Sequence, residues 1–351
     1  MTSDPLSRTA IAAVDPAGML DDVLAQPLQL PDALWRAQSA NVPRLDLAGG
    51  LVVCGMGGSG IGGDLAVAAL GDRATRPIRA IHAYGLEPWT PPDTLVLCAS
   101  YSGNTEETLA CFEAAGAVGA QRVVLTTGGR LAELARADGV PVIGIPAGMQ
   151  PRAAVLYMLV GALECAQACG AATDVRGEAE DATGLLERLV DAWGPDSEPG
   201  SDAKALAADL LGTVPVIHGS GPTAALARRW VTQLNENAKA PAFPSELPEA
   251  SHNQVCAWGL GGELAPFSGV FLEDSDQHPR VRQRIDLTAE EVERGGARAL
   301  RVTSRGESRT ERILSLVLLG DLVSVYAAVL AGRDPSPIEA LDRIKARLGK
   351  P

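Results

Sequence analysis

Short apolar runs alternate with longer amphipathic stretches over most of this chain. The first half contains five such runs, at residues 51–54, 78–83, 94–99, 122–126 and 140–145. Helical patterns begin near Ile61, Thr105 and Leu131, and a further helix is predicted over residues 152–169. Strands separated by helices are typical of a parallel sheet that carries helices on both faces. Ligands of such sheets bind beyond the carboxyl ends of the strands.

The same pattern resumes in the second half, after a charged stretch that lacks strand character. Apolar runs at 214–218, 269–272 and 299–302 accompany helical patterns over 224–237 and 309–331 and a final helix that ends near Leu348. A strand, a Gly-Ser-Gly turn and a helix therefore occur near residue 51 and again near residue 214, which indicates two copies of one α/β fold. We predict a helical arm at 1–46, a first domain at 47–172, a helical linker at 173–205, and a second domain with C-terminal helices at 206–351.

Composition and charge narrow the class of protein. The 351 residues include 30 Lys and Arg against 43 Asp and Glu, a formal charge of −13, so we expect neither nucleic acid nor an anionic membrane as partner. An anionic substrate must then be bound by a local site. We expect no apolar run long enough to cross a bilayer and no signal peptide. The six cysteines form no Cys-x-x-Cys pair and are expected to be buried apolar residues in a reducing compartment. No cluster has metal-ligand spacing, so no metal or cofactor is predicted.

A glycine-rich turn follows the first strand, in Gly55-Met-Gly-Gly-Ser-Gly60. A strand that enters a helix through glycines leaves free backbone N–H groups at the positive end of the helix dipole, where phosphate binds. The spacing also fits a dinucleotide fingerprint, but the second strand has no acid at its tip for a ribose hydroxyl. The sequence therefore predicts a small phosphate, held by the amides of Gly57 and Gly58 and by the hydroxyl of Ser59.

A second loop in the same sheet carries three hydroxyl groups. Ser100, Ser102 and Thr105 follow the strand at 94–99 and open a helix, and Gly103 allows an unusual backbone conformation between them. Helix capping alone is the alternative, but capping needs only one such residue. Beside a glycine-rich turn, the three hydroxyl groups favour a phosphate cradle.

These two loops resemble the sugar isomerase (SIS) domain. The segments Leu234-Asn-Glu-Asn-Ala-Lys-Ala-Pro241, Glu249-Ala-Ser-His-Asn253 and Gln150-Pro-Arg-Ala-Ala154 further resemble the bifunctional phosphoglucose/phosphomannose isomerases of archaea and bacteria. The resemblance extends from about Leu51 to the C-terminus. It implies two SIS-type, flavodoxin-like domains and a cytoplasmic homodimer. It also implies metal-independent isomerisation of glucose 6-phosphate and mannose 6-phosphate with fructose 6-phosphate through a cis-enediol, a step of glycolysis or gluconeogenesis.

Three residues carry the predicted chemistry. Glu236 lies between two asparagines in an apolar neighbourhood, as suits a general base, although an ordinary surface glutamate paired with Lys239 would look the same. His252 lies in a polar loop, and the resemblance implies that it opens the sugar ring from the neighbouring subunit. The positive charge of Arg152 opposes the dipole of the helix that begins at this residue, and the resemblance implies that Arg152 stabilises the enediolate.

Two assignments near the C-terminus depart from the family pattern. The family has a threonine in a Pro-Thr-Pro turn that leaves room for either C2 epimer, where this chain has Ser336. A C-terminal lysine assists ring opening in the family. We match Lys345 to this lysine, with Arg343 and Lys350 as alternatives. A non-catalytic sugar-phosphate sensor is the competing function, but sensors usually carry a basic DNA-binding domain and need no base. A nicotinamide enzyme is disfavoured by the missing ribose acid.

Overall fold

Two parallel β-sheets form the frame of the protein. The computed structural model describes residues 4–173, 176–260 and 266–348. The first sheet contains β1 (Gly50–Cys54), β2 (Ile78–Ile81), β3 (Thr94–Ala99), β4 (Gln121–Thr126) and β5 (Val142–Gly144). Its strand order is β2-β1-β3-β4-β5, which is the flavodoxin-like order. The predicted α/β fold with two such sheets is confirmed.

Both faces of the first sheet are buried because successive side chains of a strand point to opposite sides. Its helices are α4 (Gly57–Leu70), α5 (Glu106–Ala117), α6 (Gly129–Ala137) and α7 (Val155–Ala168). Leu51 and Val53 belong to the large apolar core that includes α4 and α7. Val52 and Cys54 belong to a separate core with residues of α5 and α6. An uninterrupted apolar run such as β1 is what a strand covered on both faces requires.

The second sheet repeats the first four positions of this order. It contains β6 (Val214–Gly219), β7 (Phe243–Glu246), β8 (Phe267–Glu273) and β9 (Arg298–Thr303), in the order β7-β6-β8-β9. The apolar pattern of the sequence does not predict β7. This short edge strand contains Pro244 and is mostly exposed, so it lacks the apolar run by which the other strands were predicted.

The helices of the second half are α8 (Arg176–Trp193), α9 (Asp202–Leu210), α10 (Ala224–Gln233), α11 (Pro279–Arg294), α12 (Arg309–Leu330) and α13 (Glu339–Leu348). Of these, α10 and α12 contact α4 of the first half and so join the two sheets into one body. The expectation that no segment could cross a bilayer was wrong for α12, which is long and apolar enough by length and composition. However, 94% of its most apolar window is buried, so α12 is the central core helix, in contact with α4, α8, α9 and α10.

The N-terminal segment is an integral part of this body. Its helices are α1 (Arg8–Val14), α2 (Met19–Leu24) and α3 (Gln26–Ser39). Met19, Val23 and Leu30 are buried in the large core, and α3 packs on α7 and α8. The predicted domain limits stay predictions.

Five of the six cysteines are free and buried, but Cys256 is exposed, so its expected burial was wrong.

Candidate active site

The glycine-rich turn starts α4 four residues earlier than predicted, at Gly57 rather than Ile61. Gly57 has φ +52°, a conformation that glycine adopts without strain. Gly58 lies against the 3₁₀ turn Pro151–Ala154: a Cβ atom there would be 2.9 Å from the N and Cα of Arg152. The absence of a side chain at Gly58 thus allows the glycine-rich turn and the predicted catalytic arginine to touch.

The hydroxyl loop closes beside this turn. The amide of Tyr101 donates a hydrogen bond of 3.0 Å to Ser59 Oγ, which ties the two loops together. Ser100 Oγ lies 2.8 Å from Thr105 Oγ1 and accepts a 3.1 Å hydrogen bond from the Gly103 amide. Ser100 is fully buried and so shapes the loop, whereas Ser102 is exposed and Thr105 half-buried. Their binding of phosphate stays a prediction.

Arg152 lies buried between the two halves of the protein. Its Nε donates to Asn237 Oδ1 at 2.7 Å, and its Nη2 donates to the carbonyl oxygens of Pro335 at 2.8 Å and Ser336 at 3.1 Å. Its Nη1 makes the two longest contacts, with Gln150 Oε1 at 3.3 Å and Glu236 Oε2 at 3.4 Å. A guanidinium has five N–H groups, so Arg152 has an acceptor for each. Nη1 is the nitrogen that a substrate oxygen can take over most easily.

Glu236 lies on a π-helical turn, Leu234–Ala238, that continues α10. Such turns are frequent at functional sites. Its side chain is 31% exposed, and its carboxylate faces the nearly fully buried Arg152 guanidinium. Lys239 donates to the main-chain oxygens of Glu236 and Pro335, not to the carboxylate. Among the described residues, Lys239 therefore forms no ion pair with the Glu236 carboxylate, which argues against the alternative of a surface Glu236–Lys239 pair.

Electrostatics at this site are dominated by the buried guanidinium. Burial lowers the pKa of Arg152 from its usual value, while the charge of Glu236 opposes that change. Burial and the nearby Arg152 also lower the pKa of Lys239. A carboxylate with partial solvent access beside a fixed cation can move a proton while the cation stabilises a developing oxyanion.

Several supporting residues were missed from the sequence. Asn237 is fully buried, and its Nδ2 donates to Ser324 Oγ at 2.8 Å while its Oδ1 orients Arg152. Arg229 Nη2 donates to the main-chain oxygen of Arg152 at 3.1 Å and to Asp321 Oδ2 at 2.6 Å. The motif around Glu236 contained Asn237, but nothing in the sequence relates Arg229 to Asp321, which lies 92 residues further along the chain.

Two predicted catalytic residues lie apart from this cluster. His252 is exposed on the 3₁₀ turn Glu249–His252, and Lys345 is exposed on α13. Neither is hydrogen bonded or ion-paired to the cluster within the described residues, and the alternative Lys350 lies outside them. Ser336 is brought in, since its carbonyl accepts from Arg152; its own hydroxyl is buried without a partner among the described groups. No His, Cys, Asp or Glu grouping suited to a metal occurs in the described ranges.

Two SIS-type parallel sheets, with a glycine-rich turn, a hydroxyl loop and a carboxylate–guanidinium pair, place the protein in the class of phosphosugar isomerase-like proteins. The fold is similar to that of tagatose-6-phosphate ketose/aldose isomerase from Escherichia coli, with a TM-score of 0.66 and 17% identity over 90% of this chain and 93% of that one. Residues 200–348 match the model of the bacterial phospho-glucose isomerase C-terminal SIS domain.

Sequence comparison then gives the family. A bifunctional phosphoglucose/phosphomannose isomerase of Caldicellulosiruptor bescii is 36% identical over 341 residues, which are 95% of this chain and 99% of that protein. The protein of the same description from Aquifex aeolicus is 37% identical over 302 residues, 86% of this chain and 91% of that protein. The chain belongs to the bifunctional phosphoglucose/phosphomannose isomerase family.

Proposed function

We propose that this protein interconverts glucose 6-phosphate and mannose 6-phosphate with fructose 6-phosphate through a cis-enediolate. The observation that carries the proposal is the contact of 3.4 Å between Arg152 Nη1 and Glu236 Oε2 beside two anion loops. The family membership supports the same aldose–ketose isomerisation. We propose that the reaction needs no metal, and it needs no redox cofactor because every step is a proton transfer.

The phosphate is bound first, at the N-terminus of α4. The amides of Gly57 and Gly58 and the hydroxyl of Ser59 belong to the first turn of this helix, and the hydroxyls of Ser102 and Thr105 lie in the adjoining loop. Buried Ser100 holds the second loop in shape. Fixing the phosphate orients the sugar, which converts a bimolecular encounter into an oriented intramolecular proton transfer.

Glu236 then moves the proton. Its carboxylate removes the C2 proton of the open-chain aldose, and the electron pair forms the C1–C2 double bond while O1 becomes the oxyanion. Arg152 Nη1 exchanges its long contacts for this oxyanion, and the other two guanidinium nitrogens stay anchored. Glu236 returns the proton to C1, O2 loses its proton and O1 gains one, which gives the ketose.

Ring opening needs groups from outside the cluster. His252 is exposed and has no bond to the cluster of its own chain within the described residues, and the family resemblance implies a role across an interface, so we propose that it acts on the site of a second subunit in a cytoplasmic homodimer. Helix α13 has no buried side chain among its described residues, although Leu341, Ile344 and Leu348 form an apolar stripe at helical spacing. Association that covers this stripe is the proposed means of bringing Lys345 to a site.

Ser336 is proposed to contact the sugar near C2. Its Oγ is buried and unpartnered within the described part of the chain, and its carbonyl is bound to Arg152. A buried hydroxyl without a partner is costly, and a substrate hydroxyl would satisfy it. Serine is smaller than the threonine typical of the family, so room for both C2 epimers is retained.

The test is a coupled assay that starts from fructose 6-phosphate in the presence of EDTA and detects both aldose phosphates. We expect both products at rates that do not depend on the chelator. Binding of fructose 6-phosphate without turnover would instead support the sensor. A role in glycolysis or gluconeogenesis follows only if turnover is found.

A further inference from the structure

One histidine next to the phosphate loop has no role in the chemistry above. His82 comes directly after β2, and the parallel pairing of Ile81 with Cys54 places it beside Gly55, the first residue of the glycine-rich turn. Its Nδ1 lies 2.7 Å from the carbonyl oxygen of Gly55. Its Nε2 lies 2.9 Å from Oδ2 of Asp64, in the second turn of α4. The ring thus links the first residue of the glycine-rich turn to the helix that this turn starts.

Both partners of the ring are hydrogen-bond acceptors. A carbonyl oxygen and a carboxylate have no proton to donate, so both bonds form only when each ring nitrogen carries a hydrogen. A neutral imidazole has one N–H, and its bare nitrogen would then face a lone pair at under 3 Å. The geometry therefore requires the imidazolium ion for the ring to bond to Gly55 and Asp64 at the same time.

The turn has little room to adapt to a change at this ring. A Cβ atom at Gly60 would be 2.4 Å from the oxygen of Gly55 and 2.7 Å from His82 Nδ1. The chain at Gly55 and Gly60 is therefore closed directly against the imidazole. Loss of either hydrogen bond would therefore shift the amides of Gly57 and Gly58, which lie between these two glycines.

The charged groups that face the ring come from both halves of the protein. Asp64 Oδ1 also accepts a hydrogen bond of 2.9 Å from Arg228 of α10. The hydrogen bond to Asp64 is the largest influence on His82 and raises its pKa above the ordinary value, whereas burial and Arg228 oppose it. The arginine also ties the second half of the protein to helix α4.

We propose that His82 is a positioning residue, which as an imidazolium ion clamps the start of the phosphate-binding turn to helix α4 so that phosphate affinity falls when the ring loses its proton. This inference rests on the proposed phosphate site of the isomerase. It does not require the isomerase chemistry itself. Because the pKa of His82 is raised, the clamp is complete at low pH and is lost as pH rises through that value.

The first test is direct titration of the ring. The chain has four histidines, so the His82 signal in nitrogen-detected NMR is assigned by its loss in His82→Gln. We expect a pKa above the ordinary 6.5 in the unaltered protein. Asp64→Asn should lower it and Arg228→Gln should raise it, because the two charges act in opposite directions. A pKa at or below 6.5, or shifts of the same sign in both variants, would overturn the proposal.

The second test is binding of inorganic phosphate, measured by calorimetry at several pH values. The ratio of dissociation constants between His82→Gln and the unaltered protein cancels the ionisation of phosphate itself. At low pH we expect roughly a tenfold ratio, the effect of losing one hydrogen bond to a charged group. It should approach one above the pKa of His82. A ratio that does not vary with pH would show a merely structural residue. If the ratio of dissociation constants varies with pH in this way but fructose 6-phosphate is not turned over, the proposed function fails and the proposed role of His82 stands.

Discussion

Gly58→Ala tests whether the phosphate loop also positions Arg152. An alanine Cβ would lie 2.9 Å from the N and Cα of Arg152 and 3.0 Å from the carbonyl carbon of Pro151. Ordinary contact begins at 3.4 Å, so the two backbones must separate by at least about 0.5 Å (3.4 − 2.9). Both partners are main chain, so no side-chain rotation relieves this overlap. The shift is imposed on the residue whose guanidinium we assign to the enediolate.

The magnitudes follow from this displacement. Overpacking costs about 1–3 kcal/mol of stability, offset by about 0.5–1 kcal/mol because alanine is the better helix former. A misplacement of about 1 Å can cost about 100-fold in rate, so half of that should lower kcat roughly tenfold. Steady-state kinetics with fructose 6-phosphate separate the two roles of Gly58. A change confined to KM would mean that Gly58 serves the phosphate alone and would refute the coupling to Arg152.

Gly62→Ala is the matched control on the same helix. Its Cβ would be 2.4 Å from the Cβ of Met158 on α7, so it is also overpacked but does not touch the turn that carries Arg152. We expect Gly62→Ala to lower the melting temperature and to leave kcat per folded molecule close to that of the unaltered protein. An equal loss of kcat in both variants would indicate a general effect of loosening α4.

Three further predictions concern the phosphate, the subunit interface and acid stability. Ser102→Ala should raise KM more than it lowers kcat, because phosphate contacts stabilise ground and transition states alike; a crystal with sulfate bound far from Ser102 would contradict this. Inactive Glu236→Gln and His252→Ala subunits should restore activity when mixed, because mixed dimers contain one intact site; no recovery after proven subunit exchange would place both groups in one chain. The ring of His218 stacks on that of Phe271, with 4.4 Å between the ring centroids, and burial lowers the pKa of His218 to about 4. The unfolded chain therefore binds the proton first, and stability should fall between pH 6.5 and 4 by on the order of 3 kcal/mol, a slope that His218→Leu should reduce in thermal unfolding.

Most strands followed from the sequence because buried parallel strands are nearly continuous apolar runs, whereas the flavodoxin-like order was implied only by the family resemblance. The strand Thr94–Ala99 lies where the pattern predicted it. The start of α4 was placed too late because glycine disfavours helices, whereas this helix needs glycine at 58 and 62 for close contact with neighbouring backbone and side chains. Helix propensity is local, and these contacts come from residues about 95 positions further along the chain.

The site was predictable where one motif held several functional groups and not where distant segments meet. Glu236 and Arg152 were assigned separately, and their contact appears only in the fold. Asn237 was inside a quoted motif but had no visible task until Arg152 Nε was placed against it. His82 was passed over because its two acceptors, Gly55 and Asp64, become its neighbours only through the pairing of β1 with β2.

The most direct test of the central claim is exchange of solvent deuterium into C1 of fructose 6-phosphate by Glu236→Gln. The substitution keeps the size and hydrogen bonding of the side chain and removes the proton acceptor. We predict that exchange is abolished and that kcat falls at least about 100-fold for glucose and mannose 6-phosphates alike, while phosphate binding survives at the separate anion loops. Continued exchange, or loss of the mannose activity alone, would contradict the assignment of Glu236 as the common base.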